Sequence, residues 1–212
     1  MALASSSASR LPEPLLRIIE ARHYDPFEVL GRHVTDKQAI VRTFLPLAES
    51  ATLVEAKAPL TRIEGTDFFI WEGDAALVPA RYRIAWQDAA GNEHCTYDPY
   101  CFPLQLEDFD LHLFGEGRHW HAYRFLGSHL RTVEGITGVQ FGVWAPNAER
   151  VSVVGDFNNW DGRAHPMRVR GGAGVWELFI PGLETGGFYK YEIRDRATNI
   201  HIKIDPYAQA FQ

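Results

Sequence analysis

The residues best placed to do chemistry lie between Gly155 and Gly162. Trp160 stands there among Asn158, Asn159 and Asp161, with no alternating apolar pattern around it. An indole in so polar a turn can stack its flat face on the CH face of a pyranose ring, while Asn158, Asn159 and Asp161 supply hydrogen bonds to hydroxyls. A second arrangement stays open, in which Trp160 folds back as a lid over the edge of the fold, as large aromatics often do. Lys190 lies in Phe188-Tyr189-Lys190-Tyr191. With Tyr189 and Tyr191 facing inward, strand alternation turns Lys190 outward. There it either reaches a sugar hydroxyl or is simply a solvated sheet residue. His119-Trp120-His121 has two imidazoles two residues apart but no nearby Cys or carboxylate cluster, so a joint between modules is a better reading than a metal site. Cys95 and Cys101 match no zinc or redox spacing and read as small, wholly or partly buried residues. No cofactor is expected.

The elements that must position these residues are repeated. Tyr82, Asp88, Asn92, His94, Asp98, Pro99 and Tyr100 recur 107 residues later as Tyr189, Asp195, Asn199, His201, Asp205, Pro206 and Tyr207. Trp71-Glu72 recurs as Trp176-Glu177, Pro46, Ala48 and Glu49 as Pro146, Ala148 and Glu149, and Leu30-Gly31 with His33 as Leu126-Gly127 with His129. The order is kept and the offset only grows, as in two homologous modules of which the second has longer loops. The expected division is a flexible N-terminus at 1–11, one module at 12–110 and a second at 111–212.

Helical spacing of Leu15, Ile18 and Ile19 predicts a helix over Pro12 to Arg22, and Trp120, Tyr123 and Leu126 predict another over Glu116 to Gly127. Short strands rich in Val, Ile and aromatics are expected near 138–145, 150–155, 174–180, 187–195 and 199–204. The expected fold class is therefore all-β: two tandem immunoglobulin-like β-sandwiches with short helices before each sandwich. Residues shared by both modules belong to the scaffold, so Asp98-Pro99-Tyr100, Asp205-Pro206-Tyr207, Trp71 and Trp176 read as turns and core. What differs is functional. Glu55 to Leu60 of the first module has no counterpart to the aromatic Gly155 to Gly162 loop, and the second module is longer by five residues there. The first module is accordingly expected not to bind sugar.

Composition narrows the partners. The 212 residues carry a formal charge of −6, and no long Lys/Arg run occurs. That disfavours nucleic acid and an anionic membrane as partners. No window reaches the ~18 apolar residues of a membrane span. The first ten residues lack the apolar segment of a secretory signal, and two cysteines fit a reducing compartment. A cytoplasmic protein with a neutral ligand is the resulting expectation.

These residues resemble a known family. His23-Tyr24-Asp25-Pro26-Phe27-Glu28-Val29-Leu30-Gly31-Arg32-His33 is similar to the opening motif of bacterial glycogen branching enzymes, and Leu113 to Gly117 with Leu126 to His129 resembles the start of their second N-terminal module. Phe141-Gly142-Val143-Trp144-Ala145-Pro146-Asn147-Ala148 and Gly155 to Asp161 resemble the starch- and glycogen-binding module that precedes many α-amylase-type barrels. The Phe-Asn-Asn-Trp loop alone is similar also in debranching enzymes and in the β subunits of AMP-activated kinase. The resemblance implies that Trp160 and Lys190 contact α-1,4-glucan, such as glycogen or maltooligosaccharides. It implies weak affinity, or a site that works only alongside other surface sites, because the second sugar-contacting Trp of the kinase subunits has no counterpart in Asp195 to Asn199. It further implies a parent enzyme that moves an α-1,4-glucan segment to a 6-hydroxyl by a retaining mechanism, on a catalytic barrel of ~200 residues or more. None of the barrel's catalytic motifs is found in this chain, so it is expected to be the non-catalytic front end, inactive alone and packed on that barrel. A free-standing glycogen-targeting module and the N-terminal region of a debranching enzyme are the alternatives.

Overall fold

A computed structural model describes residues 11–209. The expected flexible N-terminus lies outside these residues, apart from Leu11. The chain opens with α1 (Glu13–Ile19), followed by β1 (Gly31–Thr35), β2 (Gln38–Phe44), β3 (Ala48–Leu53), β4 (Ala58–Pro59), β5 (Thr61–Arg62), β6 (Phe68–Asp74), β7 (Arg83–Asp88) and β8 (Glu93–Tyr97). After α2 (Asp108–Gly115) come β9 (Gly127–Val133), β10 (Ile136–Trp144), β11 (Ala148–Gly155), β12 (Arg168–Arg170), β13 (Val175–Pro181), β14 (Tyr189–Asp195) and β15 (Ile200–Lys203). They form four sheets, ordered β1-β2-β6-β5 and β4-β3-β7-β8 in the first module, β12-β13-β10-β9 and β11-β14-β15 in the second. Every pairing is antiparallel. The all-β architecture expected from the strand spacing is therefore present.

The repeated motifs close each sandwich. The Asp88 carboxylate accepts from the Ala90 and Asn92 amides and pairs with His94, and Asp195 does the same with Ala197, Asn199 and His201. Those donors hold both carboxyls down at about 2, led by Asn92 for Asp88 and by His201 for Asp195. Buried Asp98 bonds the Tyr82 hydroxyl and the Tyr100 amide, and Asp205 bonds Tyr189 and the Tyr207 amide. Gly31 (φ +90°) lies so close to the Tyr100 carbonyl that a Cβ would sit 2.8 Å from it, and Gly127 (φ +101°) meets Tyr207 likewise at 3.0 Å. The Leu-Gly-x-His and Asp-Pro-Tyr motifs of each module thus meet in space, and only glycine fits the junction.

The second helix is a correction. It spans Asp108–Gly115, and Glu116 to Gly127 is a turn, a short 3₁₀ segment at Ala122–Arg124 and the approach to β9. Gly117 (φ +70°) ends the helix, with its amide on Phe114 O and the Arg118 amide on Leu113 O, the double bond of a glycine-terminated helix. The spacing misled because Trp120 and Tyr123 are exposed and only Leu126 is buried; they never formed an apolar face. α1 also stops short of Arg22, with Leu15 and Ile18 as its buried residues. Cys95 is exposed rather than buried, and Cys101 is half-buried.

The two modules share packing. One apolar cluster joins Leu15, Ile18, Leu30, Phe44, Phe68 and Tyr100 to Val139, Phe141, Val151, Trp176, Leu178 and Tyr191. A polar knot lies beside it. Fully buried Glu177 receives Arg168 Nε at 2.9 Å and Arg170 at 3.0 Å on one oxygen, and the Leu106 and Gln105 amides at 2.9 and 3.2 Å on the other. Arg168 also lies 3.9 Å from the centre of the Phe27 ring. A buried carboxylate needs this number of partners to offset its desolvation.

Candidate functional site

The site is built at the corner where β11 ends and β14 begins. Val154 pairs with Lys190 and Gly155 with Tyr189 across the two strands. Alternation buries Tyr191 completely and leaves Lys190 exposed, as the sequence predicts. β11 then runs into a 3₁₀ turn at Asp156–Asn158, followed by Asn159 (φ +54°) and Trp160 (φ +59°). Two successive left-handed residues that are not glycine are strained, at about 1–3 kcal/mol each, and persist only where the surroundings hold them.

Asn158 holds the turn from inside. Its Oδ1 accepts from the Gly155 amide at 2.9 Å, and its Nδ2 lies 2.9 Å from both Val153 O and His165 Nδ1. An acceptor role for His165 Nδ1 requires the neutral ring with its proton on Nε2. Burial keeps it neutral, pushing its pKa down to about 4. The base of the loop is braced by buried Arg150, which donates to Gly162 O at 2.6 Å, to Ser152 Oγ and to Glu192. A Cβ at Gly162 would meet the Glu192 carboxylate, so a larger residue there would displace the side chain that Arg150 holds.

Trp160 is presented outward by this frame. Its Nε1 donates to Asp156 Oδ1 at 2.9 Å, and 41% of the residue remains exposed. Lys190 Nζ lies 5.9 Å from the indole centroid, inside the range of a cation–π contact. The structure therefore brings together Trp160 and Lys190, which are 30 residues apart in sequence. Asn159 is exposed beside them; its backbone amide bonds Asp156 O, and its side-chain amide makes no hydrogen bond among the described residues.

The other two expected contacts, Asn158 and Asp161, have their polar atoms engaged within the loop. Asn158 is buried and its amide is spent on the turn. Asp161 has both oxygens engaged by the Arg163 guanidinium, at 2.7–3.2 Å. Burial pushes the Asp161 carboxyl up, but Arg163 outweighs it and holds the group below the usual range. Asp156, His165 and the Arg150–Gly162 brace were missed by sequence reasoning. Of these only Asp156, four residues before the Trp in a polar loop, left a local signal.

The first module shows what the second has changed. Arg83 occupies the place of Lys190, and the Glu55 carboxylate takes its Nε at 3.0 Å while the guanidinium lies 5.9 Å from the Tyr97 ring. Gly155 replaces Glu55, so no carboxylate neutralises Lys190 from that position. A Cβ at Gly155 would collide with Phe188 O and press on the Phe157 ring. The residue that frees the cation is thus the same one that lets the aromatic turn form.

Two family models match the chain. Residues 12–100 match the N-terminal domain of the alpha-1,4-glucan branching enzyme GlgB, and residues 125–208 match carbohydrate-binding module 48, the isoamylase N-terminal domain. The 1,4-alpha-glucan branching enzyme GlgB of Methylococcus capsulatus is 54% identical over 209 residues, covering 98% of this chain and 28% of that protein. The enzyme of the same name from Cellvibrio japonicus is 54% identical over 213 residues, 95% of this chain and 29% of its own length. The chain thus spans less than a third of the curated relatives it matches. Among solved structures, apo pullulanase from Klebsiella pneumoniae aligns over 94% of this chain and 24% of its own, at 18% identity and a TM-score of 0.35, too distant a likeness to bear on the site.

Proposed function

We propose that this chain, which belongs with the N-terminal regions of the 1,4-alpha-glucan branching enzymes, holds α-1,4-linked glucan on the Trp160–Lys190 corner and presents it to a catalytic domain. The observation that carries this reading is the exposed indole with an ammonium 5.9 Å from its centre that makes no hydrogen bond or ion pair among the described residues, held on a strained turn whose Asn158 and Asp161 side chains are already bonded. An apolar ring face takes the CH face of glucose, and a lone cation donates to its hydroxyls. A carbohydrate-binding module match over the same residues supports it. The parent protein would transfer an α-1,4-glucan segment to a 6-hydroxyl, with the catalytic carboxylates elsewhere. Two free cysteines fit a reducing compartment, and the cytoplasm is the proposed one. None of the described helices is long and apolar enough to cross a membrane.

Titration with maltoheptaose and β-cyclodextrin tests the site. Binding by the chain, with the part held at this corner lost in Trp160→Ala and the circular dichroism spectrum unchanged, is the expected result. No binding at millimolar sugar would leave a scaffold role and remove the glucan site.

The catalytic domain has a proposed seat. β15 is an edge strand, and Ile200 and Ile202 within it and Ile204 just past its end are 54%, 49% and 62% exposed at alternate positions. Such an apolar row on an open edge invites pairing unless it is covered. Ile200→Thr is expected to lower the melting temperature of the complete parent enzyme by a few degrees while leaving maltoheptaose binding by this chain unchanged. Equal melting temperatures would remove this docking role.

A further inference from the structure

A hollow of about 460 Å³ opens on the other sheet of the same module, between α2, the turn at 118–121 and Arg131 of β9. Its volume falls within the ~300–1,000 Å³ of small-molecule clefts. Trp120 stands at this cleft 91% exposed, more than any other large hydrophobic side chain of the described residues.

The backbone that carries Trp120 is pinned on both sides. His119 Nε2 donates to Asp110 Oδ1 at 2.7 Å, and its Nδ1 accepts the His121 amide at 3.2 Å. The His119 ring also packs edge-on against Phe125, 5.1 Å between centres. The exposed indole is therefore presented by a fixed turn rather than hung from a loose one. Around it the cleft is polar. Arg131 reaches Arg124 O at 3.3 Å, and the Arg124 guanidinium lies over the face of Tyr123, at 6.0 Å, and donates no hydrogen bond among the described residues. Asp110 keeps one oxygen beyond its bond to His119. A flat apolar face beside cationic donors and a carboxylate acceptor matches a neutral polyol ring, which offers CH groups on one side and hydroxyls at its rim.

We propose that this cleft is a second α-glucan contact, with a pyranose on Trp120 and its hydroxyls bonded by Arg124, Arg131 and Asp110. The proposal rests on the glucan reading of the Trp160 corner. Trp160 follows β11 in the three-stranded sheet, whereas the cleft borders β9 in the four-stranded one. One chain would then hold two glucan segments on two sides of its sandwich.

The test follows the tryptophan indole N–H signals of the 212-residue chain in a two-dimensional ¹H–¹⁵N spectrum during maltoheptaose titration, with Trp120→Phe and Trp160→Phe assigning the two signals. The proposal expects both to shift, the Trp120 signal to keep shifting in Trp160→Ala, and the calorimetric stoichiometry to fall from two to one in Trp120→Ala. Movement of Trp160 with a stationary Trp120 would overturn the second contact and leave the first intact. If neither signal moved, the glucan reading of both would fall. A Trp120 signal that answers inorganic phosphate but not maltoheptaose would overturn the ligand class.

Discussion

Lys190 and Asn158 divide the work of the corner, one facing solvent and one facing the turn. Lys190→Ala is expected to weaken maltoheptaose about tenfold, since a hydrogen bond from a charged donor contributes ~1.5–3 kcal/mol and each 1.4 kcal/mol is a factor of about ten. Calorimetric titration reads this, and the melting temperature should not change. Asn158→Ala should do the reverse first. It strips the partner from the buried Gly155 amide and should cost about 1–3 kcal/mol of stability, measured by denaturant unfolding. Trp160 and Lys190 were legible in the sequence, one by its polar surroundings and the other by strand alternation. That Asn158 turns inward while Asn159 turns outward was not. The direction is set by a 3₁₀ turn closing on itself, and two adjacent asparagines carry no periodicity from which to read it.

The loop is also an element with its own pH limit. His165 is held neutral, its folded pKa lowered to about 4 from 6.5. Between those values the unfolded chain binds the extra proton, so the stability that His165 contributes is present above 6.5 and is lost as pH falls through 4. Buried Asp98 in the first module acts in the opposite sense, because desolvation raises its pKa to about 6 from 3.8. Its contribution is present below 3.8 and is lost as pH rises through 6. The two offset each other in the same window. The melting temperature of His165→Gln relative to the unchanged chain should therefore climb steadily as pH falls from 6.5 to 4. A difference independent of pH would contradict the buried neutral ring. Strands were readable because β-rich runs are bounded by Gly, Asn, Asp and Pro. The second helix was misplaced because Trp120 and Tyr123 mimic an apolar stripe while facing solvent, and the glycine that stops the helix is Gly117, not Gly127.

Across the whole molecule the modules behave as one body in their packing. The core that joins Leu30, Phe68 and Tyr100 to Phe141, Val151 and Leu178 predicts a single calorimetric unfolding transition rather than two. Glu177→Ala should cost about 3–5 kcal/mol, because Arg168 and Arg170 would remain buried without their carboxylate. The repeat made Glu177 look like scaffold equivalent to Glu72, yet Glu72 is exposed and Glu177 is fully buried. Internal repetition reports what each module shares with itself and carries no signal for the seam between them. The Trp160 loop touches that seam, since Arg163 reaches Asp67 of the first module at 3.3 Å. The central claim is that sugar sits on the Trp160–Lys190 corner, and a crystal structure of the chain with maltoheptaose tests it most directly. The account predicts a glucose ring stacked on the Trp160 face with Lys190 Nζ in hydrogen-bonding distance of a hydroxyl. A sugar-free corner in crystals where no neighbouring molecule blocks it would contradict the account.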